Sequence, residues 1–171
     1  MKIIVITGAP GVGKTETGRQ LVNLYQSNSA WIDTDAFASI SPFVINDEFY
    51  KLAGNNLKSC INNYYQWGIE NLIISGVILP GGIYDQITQI RNEEVYTWKF
   101  YFLNAEMEII RNRIVNDYKP QDAEQRLSWL HLNDNSNELP NCRVINNSNK
   151  TIKEVAMEIF TYENFQAEKG A

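Results

Sequence analysis

The sequence predicts an α/β fold of three layers, in which helices cover both faces of a five-stranded parallel sheet in order 2-3-1-4-5. Two observations support this fold class. Short apolar segments alternate with segments of helical periodicity along the 171 residues, which is the pattern of right-handed βαβ units. The first apolar segment, residues 3–6, leads into a glycine-rich turn and then a helical pattern, so a strand, a loop and a helix follow one another there.

The other elements are predicted from apolar runs, periodicity and capping residues. Asp47 and Thr151 are each expected to cap a helix, because short polar side chains accept hydrogen bonds from the first turn. The chain is expected to stay extended through Pro42, and a polar segment at 116–124 that contains Pro120 is expected to form a lid. No repeat or linker divides residues 1–171, so one domain is predicted. Strands are predicted at 30–33, 71–75, 95–103 and 143–145, and helices at about 48–67, 83–92, 105–118, 123–132 and 151–165.

The composition argues against several classes of protein. A net charge of −5 does not suit a large basic surface for DNA or RNA. No apolar run approaches the length of a membrane span, and no secretory signal pattern precedes the first strand. Cys60 and Cys142 lie far apart without C-x-x-C spacing, so reduced thiols are expected. We therefore expect a cytoplasmic protein without nucleic-acid or membrane partners, acting as a monomer or a homodimer.

Residues 8–15, GAPGVGKT, match the phosphate-loop (P-loop) pattern G-x-x-x-x-G-K-[ST] at its four fixed positions. Glycines let successive backbone N–H groups approach phosphate oxygens, and the N-terminus of the following helix adds positive partial charge. Lys14 would reach the β- and γ-phosphates of ATP, and the Thr15 hydroxyl would bind Mg²⁺. A purely structural turn is the alternative. The predicted nucleotide-binding residues are Gly8, Ala9, Pro10, Gly11, Val12, Gly13, Lys14 and Thr15.

A pair of carboxylates follows the second predicted strand. Asp33 and Asp35 alternate with Thr34, so in an extended strand end both side chains would face the same way. The carboxyl ends of parallel strands meet at one edge of the sheet, where the P-loop also lies. Two carboxylates there could hold Mg²⁺ through water and orient or deprotonate an acceptor hydroxyl. The alternative is that they initiate a turn and cap a helix.

Three further segments add to these motifs: the glycine-ended strand IISGVILPGG, EIIRNRI at 108–114, and RVINNSNKTIKEVAMEI before the carboxyl end. Together they resemble small P-loop kinases of the nucleoside-monophosphate kinase and shikimate kinase type, which include chloramphenicol-phosphotransferase-like and gluconate-kinase-like proteins. The resemblance implies ATP-dependent transfer of a phosphoryl group to a hydroxyl of a small molecule. It assigns Mg²⁺ to Asp33 and the acceptor hydroxyl to Asp35. Arginines that bracket the lid clamp the phosphoryl group in such kinases, which implies roles for Arg111, Arg113 and Arg126.

The chain departs from that resemblance around the acceptor. Ser75-Gly76 replaces the Gly-Gly-Gly turn of shikimate kinases, and no arginine occurs at 36–57, where an anionic acceptor would be bound. The segment 37–50 instead carries Phe37, Phe43, Phe49 and Tyr50. A neutral, partly apolar acceptor such as a nucleoside, a sugar or an antibiotic-like alcohol is therefore expected. Arg19 or Arg91 could still reach the site, so a nucleoside-monophosphate kinase remains the alternative.

Other P-loop functions find less support in the sequence. A GTPase would need N-K-x-D, whereas NKTI at 149–152 lacks the aspartate. Many P-loop ATPases end the third strand with Asp-Glu, but here Ser75-Gly76 follows the apolar run. A nucleotide-binding module without chemistry stays open as an alternative. His131, the only histidine, has no metal-ligand spacing to other residues and is expected to be a packing or surface residue.

Overall fold

The computed structural model describes residues 1–25, 27–38, 40–41, 44–87, 90, 94–139 and 141–169. Its centre is a five-stranded sheet of order β2-β3-β1-β4-β5, and every strand pair is parallel. The predicted fold class and strand order are confirmed. The strands are β1 Lys2–Thr7, β2 Ser29–Asp33, β3 Asn71–Ser75, β4 Thr97–Asn104 and β5 Cys142–Asn146.

Helices cover both faces of the sheet because alternate residues of each strand point in opposite directions. Ile3 and Val5 of β1 pack against the second and third helices, whereas Ile4 and Ile6 pack against the first, fourth and sixth. Each face thus buries its own apolar cluster. The helices are α1 Lys14–Leu24, α2 Asp47–Trp67, α3 Ile83–Gln86, α4 Met107–Asp117, α5 Pro120–Leu127 and α6 Ile152–Lys169, with 3-10 segments at Thr34–Ala38 and Leu130–Glu138.

Two capping predictions had different outcomes. At α6, Thr151 and Glu154 form a reciprocal box, in which the Glu154 N–H donates to Thr151 Oγ1 and the Thr151 N–H donates to Glu154 Oε2. That cap is confirmed. At α2, Asn46 is the cap, since its side chain accepts a hydrogen bond of 2.9 Å from the Phe49 N–H. The prediction of Asp47 was wrong by one residue, because Asp47 already belongs to the first turn.

Three predicted segments differ in the structure. The chain after β2 turns at once into the 3-10 segment Thr34–Ala38 instead of continuing as an extended strand; Pro42 itself lies outside the described residues. Pro120 opens α5 instead of breaking a helix, because a first-turn proline has no N–H to leave unpaired. The helix predicted at 123–132 ends at Leu127. Of the helix predicted at 83–92, Ile83–Gln86 is confirmed, and most of the remainder lies outside the described residues.

The strand register brings three polar residues to the carboxyl edge of the sheet. Ser75 pairs with Asp33 on one side and with Ile6 on the other, so the ends of β2, β3 and β1 are level. Asn104 ends β4 at the same edge, one strand beyond β1. This edge is where ligands bind in parallel sheets. Within the described ranges, no helix is both long and apolar enough to span a bilayer.

The buried carboxylate of Glu163 connects α6 to strands β1 and β4. Glu163 is 1% exposed; it accepts a hydrogen bond from the Tyr101 hydroxyl and lies 3.3 Å from Nζ of Lys2. Burial and the hydrogen bond to Glu163 raise the pKa of Tyr101 well above its ordinary value. Tyr101 therefore stays a neutral donor, and Glu163 stays paired.

Replacing Glu163 by alanine should lower the free energy of unfolding by about 3 kcal/mol, because the buried Tyr101 hydroxyl would lose its acceptor and the half-buried ammonium of Lys2 would lose its ion pair. The matched control is Glu158→Ala, since Glu158 pairs with Lys150 at the surface and such pairs contribute about 0–1 kcal/mol. Urea denaturation followed by tryptophan fluorescence measures both. Equal losses in the two variants would show that the buried pair does not stabilise α6.

Candidate active site

The loop between β1 and α1 follows a path that only glycine permits at its two ends. Gly8 has φ 138°, and a Cβ atom there would overlap the carbonyl oxygen of Leu103 in β4. Gly13 has φ 86° and is the N-terminal cap residue of α1; a Cβ atom there would lie 2.7 Å from Cδ1 of Ile152. The loop therefore packs against both neighbouring elements and is held in one conformation.

The backbone donors of this loop are free. Within the described part of the chain, the N–H groups of residue 11 and residues 13–16 have no acceptor, and the first bond of α1 is Thr17 N–H to Gly13 O at 3.0 Å. No side chain caps α1 either. Successive free N–H groups at a helix N-terminus form an anion-binding site. The loop thus has the donors that a phosphate chain requires.

Lys14 supplies the positive charge of the loop. Its Nζ donates a hydrogen bond of 2.9 Å to the carbonyl oxygen of Ala9. Burial lowers the pKa of Lys14 to about 8; the carboxylates of Asp35 and Asp33 oppose this shift, and Arg126 adds to it. An ammonium that has one carbonyl acceptor and little water around it becomes more stable when an anion binds beside it. The site is therefore suited to binding an anion.

Asp33 is held by three hydrogen bonds at the end of β2. Its Oδ2 accepts from the Thr15 hydroxyl at 2.7 Å and from the Ser75 hydroxyl at 3.1 Å, while its Oδ1 accepts from the Asp35 N–H at 3.0 Å. The contact with Thr15 joins β2 to the first turn of α1. Hydroxyl and carboxylate oxygens are hard donors that suit Mg²⁺, so this pair could hold a metal ion that arrives with phosphate. Within the described residues, no group of three or more His, Cys, Asp or Glu side chains could hold a metal ion.

Asp35 lies in the 3-10 turn, so the expected alternation of an extended strand does not apply to it. The two carboxylates are close nevertheless, because the turn folds the Asp35 backbone onto Asp33. Burial, and then the negative charge of Asp33, raise the pKa of Asp35; Lys14 and Arg126 oppose the rise. Asp35 is thus a carboxylate within electrostatic reach of two cations, Lys14 of the loop and Arg126.

The structure distinguishes the three arginines of the predicted phosphate clamp. Arg126 of α5 acts electrostatically on both Lys14 and Asp35, and its guanidinium lies 4.1 Å from the centre of the Tyr118 ring. Arg113 of α4 is instead bound to Asn147. Arg111 is exposed and makes no hydrogen bond or ion pair to any described residue. Arg126 is therefore the arginine that the fold brings to the P-loop.

Asn147, just after β5, was not predicted from the sequence. It is 1% exposed; its side-chain N–H donates to the Val12 carbonyl, and its Oδ1 accepts from Arg113 at 3.2 Å. Its backbone N–H donates to the Asn104 carbonyl at 2.9 Å. Through its side-chain amide and its backbone N–H together, Asn147 connects β4, β5 and α4 to the P-loop. An asparagine among NNSN gives no sequence signal for such a position.

A pocket of about 400 Å³ opens beside Asp35. It confirms part of the predicted aromatic wall, since Phe49 and Tyr50 line it, whereas Phe37 packs against the apolar core; Phe43 lies outside the described residues. Segments distant in sequence complete the pocket. The lining residues are Thr34, Asp35, Ile45, Phe49, Tyr50, Val77, Leu79, Pro80, Gly81, Gly82, Ile83, Trp129, His131 and Leu132.

Trp129 and His131 are lining residues that the sequence did not indicate, because the turn after α5 brings them to the site. His131 is exposed, as expected for a surface residue, but it also faces the pocket. Its Nδ1 lies 3.1 Å from the Ser128 carbonyl oxygen, so Nδ1 is the protonated nitrogen of the neutral ring.

No lysine or arginine lines the described part of this pocket. Lys51 and Lys58 of α2 are outside the lining. Arg19 pairs with Glu16 at 2.8 Å and stacks on Trp31, so it is engaged elsewhere; Arg91 lies outside the described residues.

A parallel α/β sheet with a phosphate loop after its central strand defines the P-loop class of fold, and solved structures of that class resemble the chain. One is a gluconokinase from Sinorhizobium meliloti 1021, with a TM-score of 0.72 and 15% identity over 98% of this chain and 94% of that one. A sugar kinase from Janibacter sp. HTCC2649 has a TM-score of 0.72 and 17% identity over 96% and 95% of the two chains. The tunicamycin resistance protein of Deinococcus radiodurans has a TM-score of 0.63 and 17% identity over 94% of each chain.

These likenesses confirm the resemblance to small P-loop kinases at the level of the fold. No protein-family model and no curated protein sequence matches the chain. The fold is shared over nearly the whole chain although few residues are identical, so the roles of individual side chains must be argued from the site itself.

Replacing Asn147 by alanine should lower the free energy of unfolding by about 2 kcal/mol, because the Val12 carbonyl and the Arg113 guanidinium would lose their buried partner. Asn149→Ala is the control, since Asn149 is exposed in the same loop and surface changes stay within about 0.5 kcal/mol. Urea denaturation compares the two variants. The connection would be refuted if both unfolded at the wild-type urea concentration.

Proposed function

We propose that the chain is an ATP-dependent phosphotransferase that transfers the γ-phosphoryl group of MgATP to a hydroxyl of a small-molecule acceptor. One arrangement carries this proposal: the carboxylate of Asp35 lies between a buried lysine on a loop of free N–H groups and a small-molecule pocket. Phosphoryl transfer depends mainly on positioning and on stabilising negative charge. A kinase needs a phosphate-binding loop, a carboxylate for the acceptor hydroxyl and an acceptor pocket, arranged in this order.

The nucleotide side of the site fits a triphosphate. A phosphate chain would accept hydrogen bonds from the backbone N–H groups of the loop and pair with the ammonium of Lys14 at the same time. Thr15 and Asp33 offer paired oxygens for Mg²⁺. When bound, MgATP supplies an activated phosphoryl group. Lys14 then stabilises the negative charge that builds up on the phosphate oxygens as the bond breaks.

On the acceptor side, we assign proton transfer to Asp35. A carboxylate whose pKa is raised is a better proton acceptor than an ordinary one. Asp35 lines the pocket, so it can accept the proton of an acceptor hydroxyl while that oxygen bonds to phosphorus. Arg126, close enough to influence Lys14 and Asp35, would neutralise charge on the transferred group. The segment 116–124 remains the predicted lid that excludes water.

Two other functions are less well supported. A nucleoside-monophosphate kinase would need cations for the acceptor phosphate, and the described pocket lining has no lysine or arginine. An ATPase or a binding module would need no acceptor pocket, whereas one of about 400 Å³ lies beside Asp35. Small-molecule sites commonly have volumes of about 300–1,000 Å³, so the pocket favours transfer to an acceptor.

Binding of MgATP should take up protons near pH 8.5. The pKa of Lys14 is about 8 without a bound anion, so much of this lysine is neutral at that pH, and the phosphates would raise its pKa. Affinity should therefore fall as pH rises above about 8, by up to about tenfold per pH unit. Isothermal titration in two buffers with different ionisation enthalpies measures the proton uptake.

Lys14→Arg is the matched control for this linkage, because arginine stays charged throughout this pH range and its variant should bind without proton uptake. Lys14→Ala should abolish phosphoryl transfer with the fold intact. Proton uptake that persists in Lys14→Arg would assign it to a group other than Lys14.

Acceptor-stimulated release of ADP is the direct test of the proposed function. A screen of nucleosides, nucleotides, shikimate, gluconate and antibiotics should identify compounds that raise ADP release above ATP alone. With such a compound, Asp35→Asn should lower kcat by about 100-fold or more while ATP binding is retained. Arg126→Ala should lower kcat by a similar factor, because charge on the transferred group would be unopposed.

Lys153→Ala provides the comparison for Arg126→Ala, since Lys153 is an exposed cation in the first turn of α6 and its loss should change kcat less than about twofold. A wild-type rate in Asp35→Asn would show that Asp35 is structural. ADP release that no acceptor raises would contradict transfer itself and favour an ATPase.

A further inference from the structure

Apart from Asp35, the walls of the acceptor pocket are mostly apolar and aromatic. Phe49 and Tyr50 pack edge to face with 5.6 Å between ring centres, and Tyr50 lies against Gly82, where a Cβ atom would come within 3.2 Å of the ring. Val77 and Leu79 continue this apolar surface on one side, and Trp129 lines the pocket from the turn after α5. A flat apolar group can therefore be buried on several faces.

The polar groups of these walls are neutral donors. The Tyr50 hydroxyl and Trp129 Nε1 make no hydrogen bond to any described residue, so both are free to donate to a ligand. His131 donates its Nδ1–H to the Ser128 carbonyl, and in the tautomer with a single ring proton its Nε2 can accept a hydrogen bond. Uncharged oxygen and nitrogen atoms pair well with such groups, because neither partner brings an uncompensated charge.

An anionic acceptor would meet the opposite conditions. Asp35 in the wall and Asp33 behind it are negative, and the cations that act on them, Lys14 and Arg126, are not part of the described lining. A phosphate or carboxylate in the pocket would lose water without gaining a cation from the described lining. Burying a charge without a partner costs several kcal/mol, so the pocket discriminates by charge.

Building on the proposed function, we infer that the acceptor is an uncharged alcohol with an aromatic or comparably flat apolar body. Its body lies between Tyr50 and Trp129, and its reactive hydroxyl lies at Asp35. In the transfer, the hydroxyl oxygen bonds to the γ-phosphorus, the bond from that phosphorus to the bridging oxygen breaks, and ADP leaves with the electron pair. The hydroxyl proton goes to Asp35.

Matched pairs of alcohols test this inference. Each pair has an uncharged and an anionic member: 1-phenyl-1,2-ethanediol and mandelate, sorbitol and gluconate, and each nucleoside and its 5′-monophosphate, within a wider library of several hundred alcohols. ADP release is measured with ATP and each compound. We expect the compounds that stimulate release to be uncharged and mostly aromatic, with kcat/KM about 100-fold or more above that of their anionic partners.

The outcomes separate this inference from the proposed function. Preference for anionic acceptors would overturn the inference and leave the phosphotransferase standing, as would an uncharged acceptor that lacks any flat apolar group. ADP release that no compound raises would overturn the proposed function, and this inference with it.

Two arginine substitutions, one in the pocket and one outside it, test whether the pocket itself discriminates against anionic acceptors. Ile45 is 41% exposed and lines the pocket, whereas Leu52 is 45% exposed on α2 and does not. Ile45→Arg should raise kcat/KM for the anionic members about tenfold or more by supplying a cation, and Leu52→Arg should leave it unchanged. Both sites are exposed, so folding is retained. Equal effects of the two variants would show that net charge, not the pocket, selects the acceptor.

Substitutions of Trp129 test whether the apolar body of the acceptor lies against this ring. Trp129→Ala should raise KM for the uncharged acceptor about tenfold with little change in kcat, because the ring binds ground state and transition state alike. Trp129→Phe should restore most of this affinity and lack the contribution of Nε1. An unchanged KM in Trp129→Ala, with wild-type thermal stability, would place the acceptor elsewhere.

Discussion

The buried ammonium of Lys14 is the constraint around which the site is arranged. It contacts the Ala9 carbonyl at 2.9 Å, and burial lowers its pKa to about 8. A charge in this position destabilises the ligand-free protein unless the surroundings hold it in place. The Gly8–Leu103 contact, the Asn147 amide and the Thr15–Asp33 hydrogen bond together fix the loop from three sides. The free N–H groups and the ammonium are thus preorganised for an anion before it binds.

Charge is divided across the carboxyl edge of the sheet. The cations Lys14 and Arg126 act on the P-loop side, and the described pocket lining has no lysine or arginine and is mostly apolar and aromatic apart from Asp35. Asp35 stands between them, and its pKa is raised by burial and by Asp33. This division makes the two halves selective in opposite ways: one favours phosphate, and the other favours an uncharged alcohol. It also keeps negative charge from the acceptor away from the carboxylate that receives its proton.

The sequence-based assignments of site residues succeeded or failed for identifiable physical reasons. Asp33 lies where the pattern placed it, because the carboxyl ends of parallel strands must meet at one edge. The reason given for Asp35 was wrong, since Thr34 already belongs to a 3-10 turn, yet the turn returns Asp35 to the same edge. The three arginines looked equivalent in sequence. Spacing on a helix cannot show which neighbour the helix will meet, and the packing binds Arg113 to Asn147 while Arg126 comes within electrostatic reach of Lys14.

By itself, the sequence determined the fold class, the strand order and the phosphate loop, because each depends on local patterns: apolar runs, alternation of strand and helix, and glycines next to Lys-Thr. The tertiary structure alone decided which residues complete the acceptor pocket and which brace the loop. Tyr50, Val77 and Trp129 lie far apart along the chain and meet only when the segments that follow β3 and α5 come to line one pocket with α2. The amide of Asn147 acquires its role only when the end of β5 comes to lie beside Val12. Such contacts arise from packing between distant segments, which no local pattern encodes.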